Sequence, residues 1–272
     1  MGFAVRFNEI SRALVAFLLI DLALCYTMIP LNAFILFTDA LTPLGVPIVA
    51  LIGIVAWTIS GPGVATAFAA YRDAPVLRSG EDDDVRWQRN RRNAGIEPIA
   101  DSYWKAGEED NRVIRPYLRT YPMLFVRSLI VSLIFGVALA VLVETGLWGL
   151  NAGVAAVAGV CAVFAVVVLA MQLAALNLVV EFPHARYGAI ARNAVVLMIR
   201  KLPLLIPIAA LLGAYGYVML NWPWFMIVFG TGLVAFFLYH ATEHVIRPLV
   251  DQMIFEETGV KAVHPKAEKP LV

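Results

Sequence analysis

Residues 152–180 read AGVAAVAGVCAVFAVVVLAMQLAALNLVV and contain no Asp, Glu, Lys or Arg. About 20 consecutive apolar residues in one helix are enough to cross the hydrocarbon core of a bilayer. The whole chain has the same character, because 61% of its 272 residues are hydrophobic and 15% are charged, whereas a soluble domain averages about 25% charged residues. The mean hydropathy is +0.78. These values exclude an ordinary soluble protein and predict an all-α polytopic membrane helix bundle.

Six apolar segments are long enough to be transmembrane helices. They cover about 13–37, 44–71, 123–145, 152–180, 204–221 and 223–242. We expect residues 1–250 to form one six-helix transmembrane domain with a loop at 72–121, followed by a tail at 251–272. The first segment is expected to be retained rather than cleaved as a signal peptide, because Asp21 interrupts its apolar run and no small-x-small cleavage site follows.

The basic residues indicate how the chain is oriented. The connections between spans one and two, three and four, and five and six contain no Lys or Arg, so all 21 basic residues fall on one side. Basic residues accumulate in cytoplasmic loops. We therefore expect a multi-pass protein of the cytoplasmic membrane, with both termini and the long loops in the cytoplasm.

The loop at 72–121 is the longest cytoplasmic segment. Its run Glu81-Asp82-Asp83-Asp84 is followed by four arginines that flank a tryptophan, in the stretch 86–92. This mixed-charge run is interpreted either as a solvated, flexible loop or as a tryptophan-anchored patch on anionic membrane lipids. The adjacent acidic residues disfavour a nucleic-acid partner. The second half, Ile99 to Leu118, is predicted to form interfacial helical turns that Pro116 interrupts.

A second cytoplasmic segment, Tyr187 to Arg200, has the pattern of an amphipathic helix. Apolar residues recur every three or four positions, and arginines occupy other positions. The predicted helix lies at the inner membrane face and ends before Pro203. It either docks a partner protein or turns the chain at the membrane surface. The candidate partner-binding residues are Tyr187, Arg192, Val195 and Arg200.

Polar residues inside the predicted spans are candidate functional groups, because burying them in hydrocarbon is costly. Asp21 in span one and Arg127 in span three lie at depths that allow an ion pair. The alternative for Asp21 is a proton or cation site. Asn32, Gln172 and Asn177 are predicted to form interhelical hydrogen bonds, each worth about 1 kcal/mol.

Span two contains a Gly-Pro element. Gly61, Pro62 and Gly63 are predicted to break the helix, because proline removes a backbone donor and lipid cannot satisfy the groups that are released. Discontinuous helices line substrate sites in transporters, which gives an alternative function as a small-solute or ion transporter that uses this break, Asp21, and Gln172 or Asn177. A packed kink supported by neighbouring helices is the other interpretation. Spans one to three and four to six show no inverted repeat, which disfavours transport.

Small residues cluster at the start of span four. They include Gly149, Ala152, Ala155, Ala156 and Gly159. Small side chains permit close approach of helices, either inside the bundle or across the interface of a homo-oligomer.

The segment His240-Ala241-Thr242-Glu243-His244 matches the H-x-x-E-H motif of zinc peptidases. In that motif histidines at i and i+4 bind one metal and the glutamate is the general base. Glu256 or Glu257 is the candidate third ligand. The pattern is short, and Arg247 before Pro248 also fits an ordinary interfacial helix end. No nucleophile elbow, phosphate-binding loop, dinucleotide fingerprint or Cys-x-x-Cys motif occurs, so we expect no enzymatic activity and no cofactor or metal, with a zinc site here as a third alternative.

Three elements near helix ends resemble a known family. They are Ser60-Gly61-Pro62-Gly63 with the Ala-rich stretch after it, the aromatic segment Ser102-Tyr103-Trp104-Lys105, and Ala191 to Leu197 followed by Pro203. In this respect the chain is similar to the YesL family, bacterial integral membrane proteins of unknown function often encoded beside carbohydrate ABC importers. The resemblance covers about residues 10–240 and carries no catalytic residues. It implies a non-enzymatic accessory or regulatory subunit of such an importer in the bacterial inner membrane.

A second resemblance is to the cytoplasmic coupling segment of ABC-importer permeases. Leu202-Pro203 and Pro207 are similar to the end of that segment. Its start differs, because Gly188 precedes Leu202 by more residues than the permease pattern requires. This similarity implies that the segment from Gly188 to Pro203 docks on an importer ATPase. The candidate protein partners are ABC permease or ATPase subunits.

Overall fold

The computed structural model describes residues 2–74, 77, 103 and 113–258. Every regular element in this part of the chain is helical. Six of the helices are long and apolar enough to cross a membrane, which confirms the predicted all-α polytopic bundle. The charged run at 81–92, most of segment 99–118 and the tail after Thr258 lie outside the described residues.

The helices divide into long spans and short connecting elements. The long spans are α1 (Gly2–Thr27), α4 (Val46–Asp73), α5 (Ile114–Asn151), α6 (Ala155–Glu181), α8 (Leu205–Asn221) and α9 (Thr231–Thr258). The short elements are α2 (Ile29–Leu36), α3 (Thr38–Leu41), the amphipathic helix α7 (Tyr187–Arg200), and 3₁₀ turns at Thr42–Leu44 and Leu202–Leu204. One α-helical turn, Pro223–Phe225, and a π-helical segment, Met226–Gly230, lead into α9.

The first predicted span is two helices rather than one. Helix α1 ends at Thr27 and α2 begins at Ile29. Pro30 lies in the first turn of α2 and has no N–H with which to continue the hydrogen-bond ladder of α1. Asn32 Nδ2 donates a 3.0 Å hydrogen bond to the carbonyl of Cys25 and so covers one of the carbonyls that α1 leaves unbonded at its end.

Proline placement also differs from the sequence prediction in α5. This helix begins at Ile114, so the predicted interruption at Pro116 is wrong. Pro116 lies in the first turn, where backbone N–H groups have no partner within the helix and a missing donor costs little. The last helix also extends past its predicted end, because α9 continues through Pro248.

The two ends of the bundle have different connections. We call the end that holds residues 38–45, 152–154 and Trp222 the short-connection end, and the opposite end the long-connection end. At the short-connection end α5 and α6 are joined by three residues that include Gly153, whose φ is 75°. Glycine adopts this backbone conformation without the steric cost that other residues incur, which allows so tight a turn.

Helix α6 lies at the centre of the bundle and α8 at its edge. The second half of α6, Ala170–Glu181, is buried except for Met171. Helix α5 packs along both α4 and α6, and a Cβ at Gly136 in α5 would lie 2.3 Å from Thr58 Oγ1 of α4. In α8 only Ile208 and Met219 are buried among the side chains described. The α4–α5–α6 contact is therefore the tightly packed part of the bundle.

Candidate functional site

Asp21 lies in the interior of the bundle and is 0% exposed. Its Oδ1 accepts a 2.7 Å hydrogen bond from the backbone nitrogen of Gly232, and its Oδ2 has no hydrogen-bond partner among the residues that the structure describes. The predicted ion pair with Arg127 is therefore wrong. A backbone amide, rather than a basic side chain, is the polar partner of the buried carboxyl group.

The partner of Asp21 lies where the helical hydrogen-bond pattern changes. Thr231 N donates to Met226 O at the end of the π-helical segment, and Thr231 Oγ1 donates to the same carbonyl at 2.8 Å. Tyr71 OH donates to the carbonyl of Gly232 at 2.9 Å. Side chains from α1 and α4 thus hold both polar groups of residue 232. Single-turn π segments occur frequently at functional sites. The junction between the π-helical segment and α9 is therefore a candidate functional site.

Arg127 reaches away from Asp21, towards the long-connection end. One of its terminal nitrogens donates to the carbonyl of Ala185, and its guanidinium lies 5.1 Å from the centre of the Tyr187 ring. A long arginine side chain keeps its apolar stem in the bundle while its charged end reaches a polar region. Arg127 therefore joins α5 to the start of α7.

Two of the other predicted polar residues, Gln172 and Asn177, form hydrogen bonds between spans, as expected. Trp57 Nε1 donates to Gln172 Oε1 at 2.8 Å and joins α4 to α6. Asn177 Nδ2 donates to Thr242 Oγ1 at 3.0 Å and joins α6 to α9. These contacts make both residues part of the helix packing, in agreement with the sequence interpretation.

The predicted break in span two is wrong, because α4 is continuous from Val46 to Asp73 with Pro62 inside it. Neighbouring helices pack directly against the two glycines. A Cβ at Gly61 would lie 2.0 Å from Ser132 Oγ of α5, and one at Gly63 would lie 2.7 Å from Thr27 Oγ1 of α1. The glycines thus permit close helix contact, which keeps the helix intact despite the missing proline donor.

A buried ionic cluster occupies the long-connection end of α4 and α6. The Arg72 guanidinium makes two 2.9 Å hydrogen bonds to the carboxylate of Asp73 and lies 3.5 Å from Glu181. It also donates to the carbonyl of Val180 at 3.2 Å. All three charged residues are buried. Such a cluster is unfavourable to bury unless its members are paired, which these are.

The cluster also binds a residue of the long loop. Tyr103 N donates to Asp73 Oδ2 at 2.7 Å, and the guanidinium of Arg72 lies 5.0 Å from the centre of the Tyr103 ring. Arg119 of α5 donates to the carbonyl of Tyr103 at 2.7 Å. Sequence analysis missed this cluster. The available signal was that Arg72-Asp73 and Glu181 each end an otherwise apolar helix.

The H-x-x-E-H segment lies within α9 and makes ordinary helical contacts. His240 Nδ1 lies 3.4 Å from Glu243, and Glu243 accepts a 3.3 Å hydrogen bond from Arg247 at the next turn. The candidate third ligand Glu256 accepts a 2.7 Å hydrogen bond from Gln252. No group of three His, Cys, Asp or Glu side chains suited to a metal occurs among the residues described. The geometry gives the zinc alternative no support.

Helix α7 has the predicted bounds, Tyr187–Arg200, and packs on α6 and α5. Its buried residues are Ile190, Ala194 and Met198. Of the candidate partner-binding residues, Arg192 and Arg200 are exposed, whereas Tyr187 and Val195 are partly buried. The exposed side also carries two apolar residues, Val196 and Ile199. One face therefore anchors the helix and the other presents cations beside apolar side chains.

The small residues at the start of span four divide between two environments. Gly149 packs inside the bundle, since a Cβ there would lie 2.8 Å from Val157. Ala152, Ala155 and Gly159 are exposed.

No protein-family model, curated protein or solved structure matches the chain. The functional interpretation therefore depends on the residues and on the geometry described above.

Proposed function

We propose that this chain is a non-enzymatic membrane protein that acts as an accessory or regulatory subunit of a larger membrane complex. The resemblance to the YesL family favours a bacterial carbohydrate ABC importer as that complex. The proposal places both termini and α7 on the cytoplasmic side of the inner membrane, in accord with the positive-inside rule.

The observation that carries the proposal is the exposed side of α7. Residues Ile190, Ala194 and Met198 fix the helix on the bundle, so its other face is held in a defined position. Arg192 and Arg200 on that face offer positive charge beside exposed Val196 and Ile199. Mixed arginine and apolar contacts are common in protein interfaces. An ABC permease or ATPase subunit with an acidic contact surface is the partner that we propose.

The packing of the polar interior also favours an accessory role over transport. Gln172 and Asn177 are bonded to other helices, and α4 has no discontinuity at Pro62. Two of the features on which the transport hypothesis depended are therefore engaged in packing.

The test is a mild-detergent purification of the tagged protein from its native host, with mass spectrometry of the co-purified proteins. We expect ABC permease or ATPase subunits in stoichiometric amount. The double variant Arg192→Glu/Arg200→Glu should lose them, because it reverses both exposed charges of α7. The matched control is Arg12→Glu/Arg115→Glu, which changes the net charge equally at two exposed positions outside α7. Equal loss in both variants, or a wild-type protein that purifies as a homo-oligomer alone, would contradict the proposal.

A second candidate function, transport of a proton or small cation, is favoured by one observation. The Oδ2 atom of Asp21 is buried beside a π-helical segment and has no hydrogen-bond partner in the described part of the chain. Buried ionisable groups in membrane spans mark ion pathways in many transporters.

This candidate is tested in sealed vesicles that contain the purified protein and an enclosed pH-sensitive dye. After a potassium diffusion potential is imposed, a proton transporter should acidify the interior faster than protein-free vesicles do. Asp21→Asn should abolish the difference. Identical rates in wild-type and protein-free vesicles would exclude proton transport, and the same vesicles loaded with a sodium indicator test the cation.

A further inference from the structure

A cavity of about 900 Å³ lies between α2, α4, α5, α6 and α8. Its lining reaches from Thr38 and Asp39, at the short-connection end, to Trp57 in α4 and Leu212 in α8. Trp57 follows the first residue of α4, Val46, by 11 positions, which is about 16 Å along a helix. The cavity is therefore deep, and its volume falls in the range of about 300–1,000 Å³ that is typical of small-molecule sites.

The cavity exists because two glycines and a peripheral helix leave space. Gly216 of α8 lines the cavity, and a Cβ built there has no heavy atom within 4 Å. The absence of a side chain at Gly53 lets the ring of Phe34 lie against α4, because a Cβ at Gly53 would be 2.8 Å from that ring. Helix α8 packs on α6 and α9 and leaves the space between itself and α4 unfilled.

The chemistry of the lining indicates a hydrocarbon occupant. Most of the lining side chains are aliphatic or aromatic, and Asp39 is the one charged residue among those that the structure describes. Apolar cavities do not retain water, because water requires several polar partners. The rim is open at the short-connection end, where Phe37 is 63% and Trp224 is 67% exposed. The surrounding bilayer supplies chains that can enter there.

We propose that this cavity binds one acyl chain of a phosphatidylethanolamine molecule, with the ammonium headgroup at Asp39. The chain lies between α4 and α8 and ends near Trp57. Charge complementarity selects the headgroup, since Asp39 is exposed at the rim and the described residues of the lining include no Lys or Arg. An anionic lipid or a free fatty acid would place like charges together at Asp39. Exposed Trp222 and Trp224 stand beside the rim, and tryptophan favours headgroup depth.

The test uses the full-length protein in phospholipid vesicles that contain a trace of phosphatidylethanolamine with a photoactivatable group near the end of one acyl chain. After illumination, the labelled residues are identified by mass spectrometry. We expect labelling concentrated on Trp57, Leu212 and their neighbours in the cavity. A phosphatidylglycerol probe with the same chain serves as the comparison, and we expect it to label these residues about tenfold less, which corresponds to about 1.4 kcal/mol.

Two variants separate chain binding from headgroup recognition. Gly216→Phe should reduce cavity labelling about tenfold, because its ring occupies the space of the chain. Gly213→Phe is the matched control, since Gly213 lies one turn away on α8, has the same open surroundings and does not line the cavity. Asp39→Asn should leave chain insertion intact and bring the two headgroup probes to equal labelling. Asp39 is exposed, so this substitution does not disturb the packing of the interior.

Three results would overturn the proposal. One is labelling spread evenly over outward residues such as Val160 and Val163 as well as the cavity. Another is equal labelling in Gly216→Phe and Gly213→Phe. The third is protection of the cavity from every lipid probe together with cross-links between two copies of the chain, which would make the cavity a contact between protomers. This proposal does not depend on the accessory function, since the vesicles contain no partner protein.

Discussion

Oδ1 of Asp21 lies 2.7 Å from the backbone nitrogen of Gly232, and the two residues are 211 positions apart in the chain. The contact ties α1 to the start of α9, immediately after the π-helical segment. A glycine is needed there, because a Cβ at residue 232 would lie 2.7 Å from the same oxygen. The carboxyl group of Asp21 can therefore occupy this position because residue 232 has no side chain.

The close contact at Gly232 predicts that alanine at this position destabilises the protein, although alanine usually stabilises a helix relative to glycine. Gly232→Ala should lower stability by about 1–3 kcal/mol, because the added methyl displaces Asp21. Gly213→Ala, in open surroundings on α8, should be neutral or stabilising by up to about 1 kcal/mol, because alanine is the better helix former. Thermal unfolding in detergent, followed by circular dichroism, compares the two. Equal melting temperatures would show that Asp21 moves aside without cost.

The structural role of Asp21 predicts different effects for two substitutions. Asp21→Asn keeps a side-chain oxygen that accepts from Gly232 N, so the protein should stay close to wild-type stability. Asp21→Leu leaves that buried N–H without a partner and should cost about 1–3 kcal/mol. Unfolding of the two variants in the same detergent measures the difference. If Asp21→Leu were the more stable variant, the hydrogen bond would not contribute to folding.

The bond between Trp57 and Gln172 predicts a modest coupling energy. Interhelical side-chain hydrogen bonds in membranes average about 0.6 kcal/mol in double-mutant cycles. Trp57→Phe, Gln172→Leu and the double variant should give a coupling of that size, because each single change removes the same 2.8 Å contact. The corresponding cycle for Trp57 and Asn177, which are not bonded to each other, is the control and should give a coupling near zero.

The buried ionic cluster predicts a strong dependence on Arg72. Arg72→Ala removes the cation that contacts both Asp73 and Glu181, and loss of one partner from a buried ion pair costs about 3–5 kcal/mol. We expect severe loss of folded protein in the membrane fraction. Arg115→Ala, an exposed change on α5, should remain within about 0.5 kcal/mol of wild type. A fluorescent C-terminal fusion measured by size-exclusion chromatography reports the folded yield of each.

The charge distribution predicts which end of the bundle faces the cytoplasm. In a background of Cys25→Ala/Cys161→Ala, a membrane-impermeant maleimide added to intact cells should label Ala152→Cys and should not label Arg192→Cys. Both positions are exposed at opposite ends of the bundle. Labelling of Arg192→Cys should appear after the cells are permeabilised. The reverse pattern would invert the topology and move the proposed docking face of α7 outside the cell.

Much of the architecture follows from local patterns. A run without charges fixes where a span must lie, and the three-to-four-residue apolar repeat located α7 with its correct bounds. The same local reasoning failed at Pro62, because the stability of that turn depends on Thr27 and Ser132 from other helices. The contacts that a segment makes with neighbouring helices cannot be inferred from the sequence of that segment alone.

The candidate site was predictable only in part. Asp21 stood out as a carboxyl group in an apolar run, but its partner is a backbone amide, and every residue except proline has one. The same limit applies to Arg72, whose partners include the carbonyl of Val180 and a glutamate on a different helix. The two partners in such long-range pairs can be identified only when the three-dimensional structure is known.

The ionic cluster at the ends of α4 and α6 restricts which movements the bundle can make. Sliding one of these helices past the other by a single turn, about 5.4 Å, would separate Arg72 from the buried Glu181 carboxylate and from the carbonyl of Val180, although Arg72 would keep its pair with Asp73. The register of α4 against α6 is therefore locked. Helix α8 has no comparable constraint, since only Ile208 and Met219 among its described side chains are buried. A shift of α8 alone would widen or narrow the cavity at Gly216 while the rest of the bundle stays rigid.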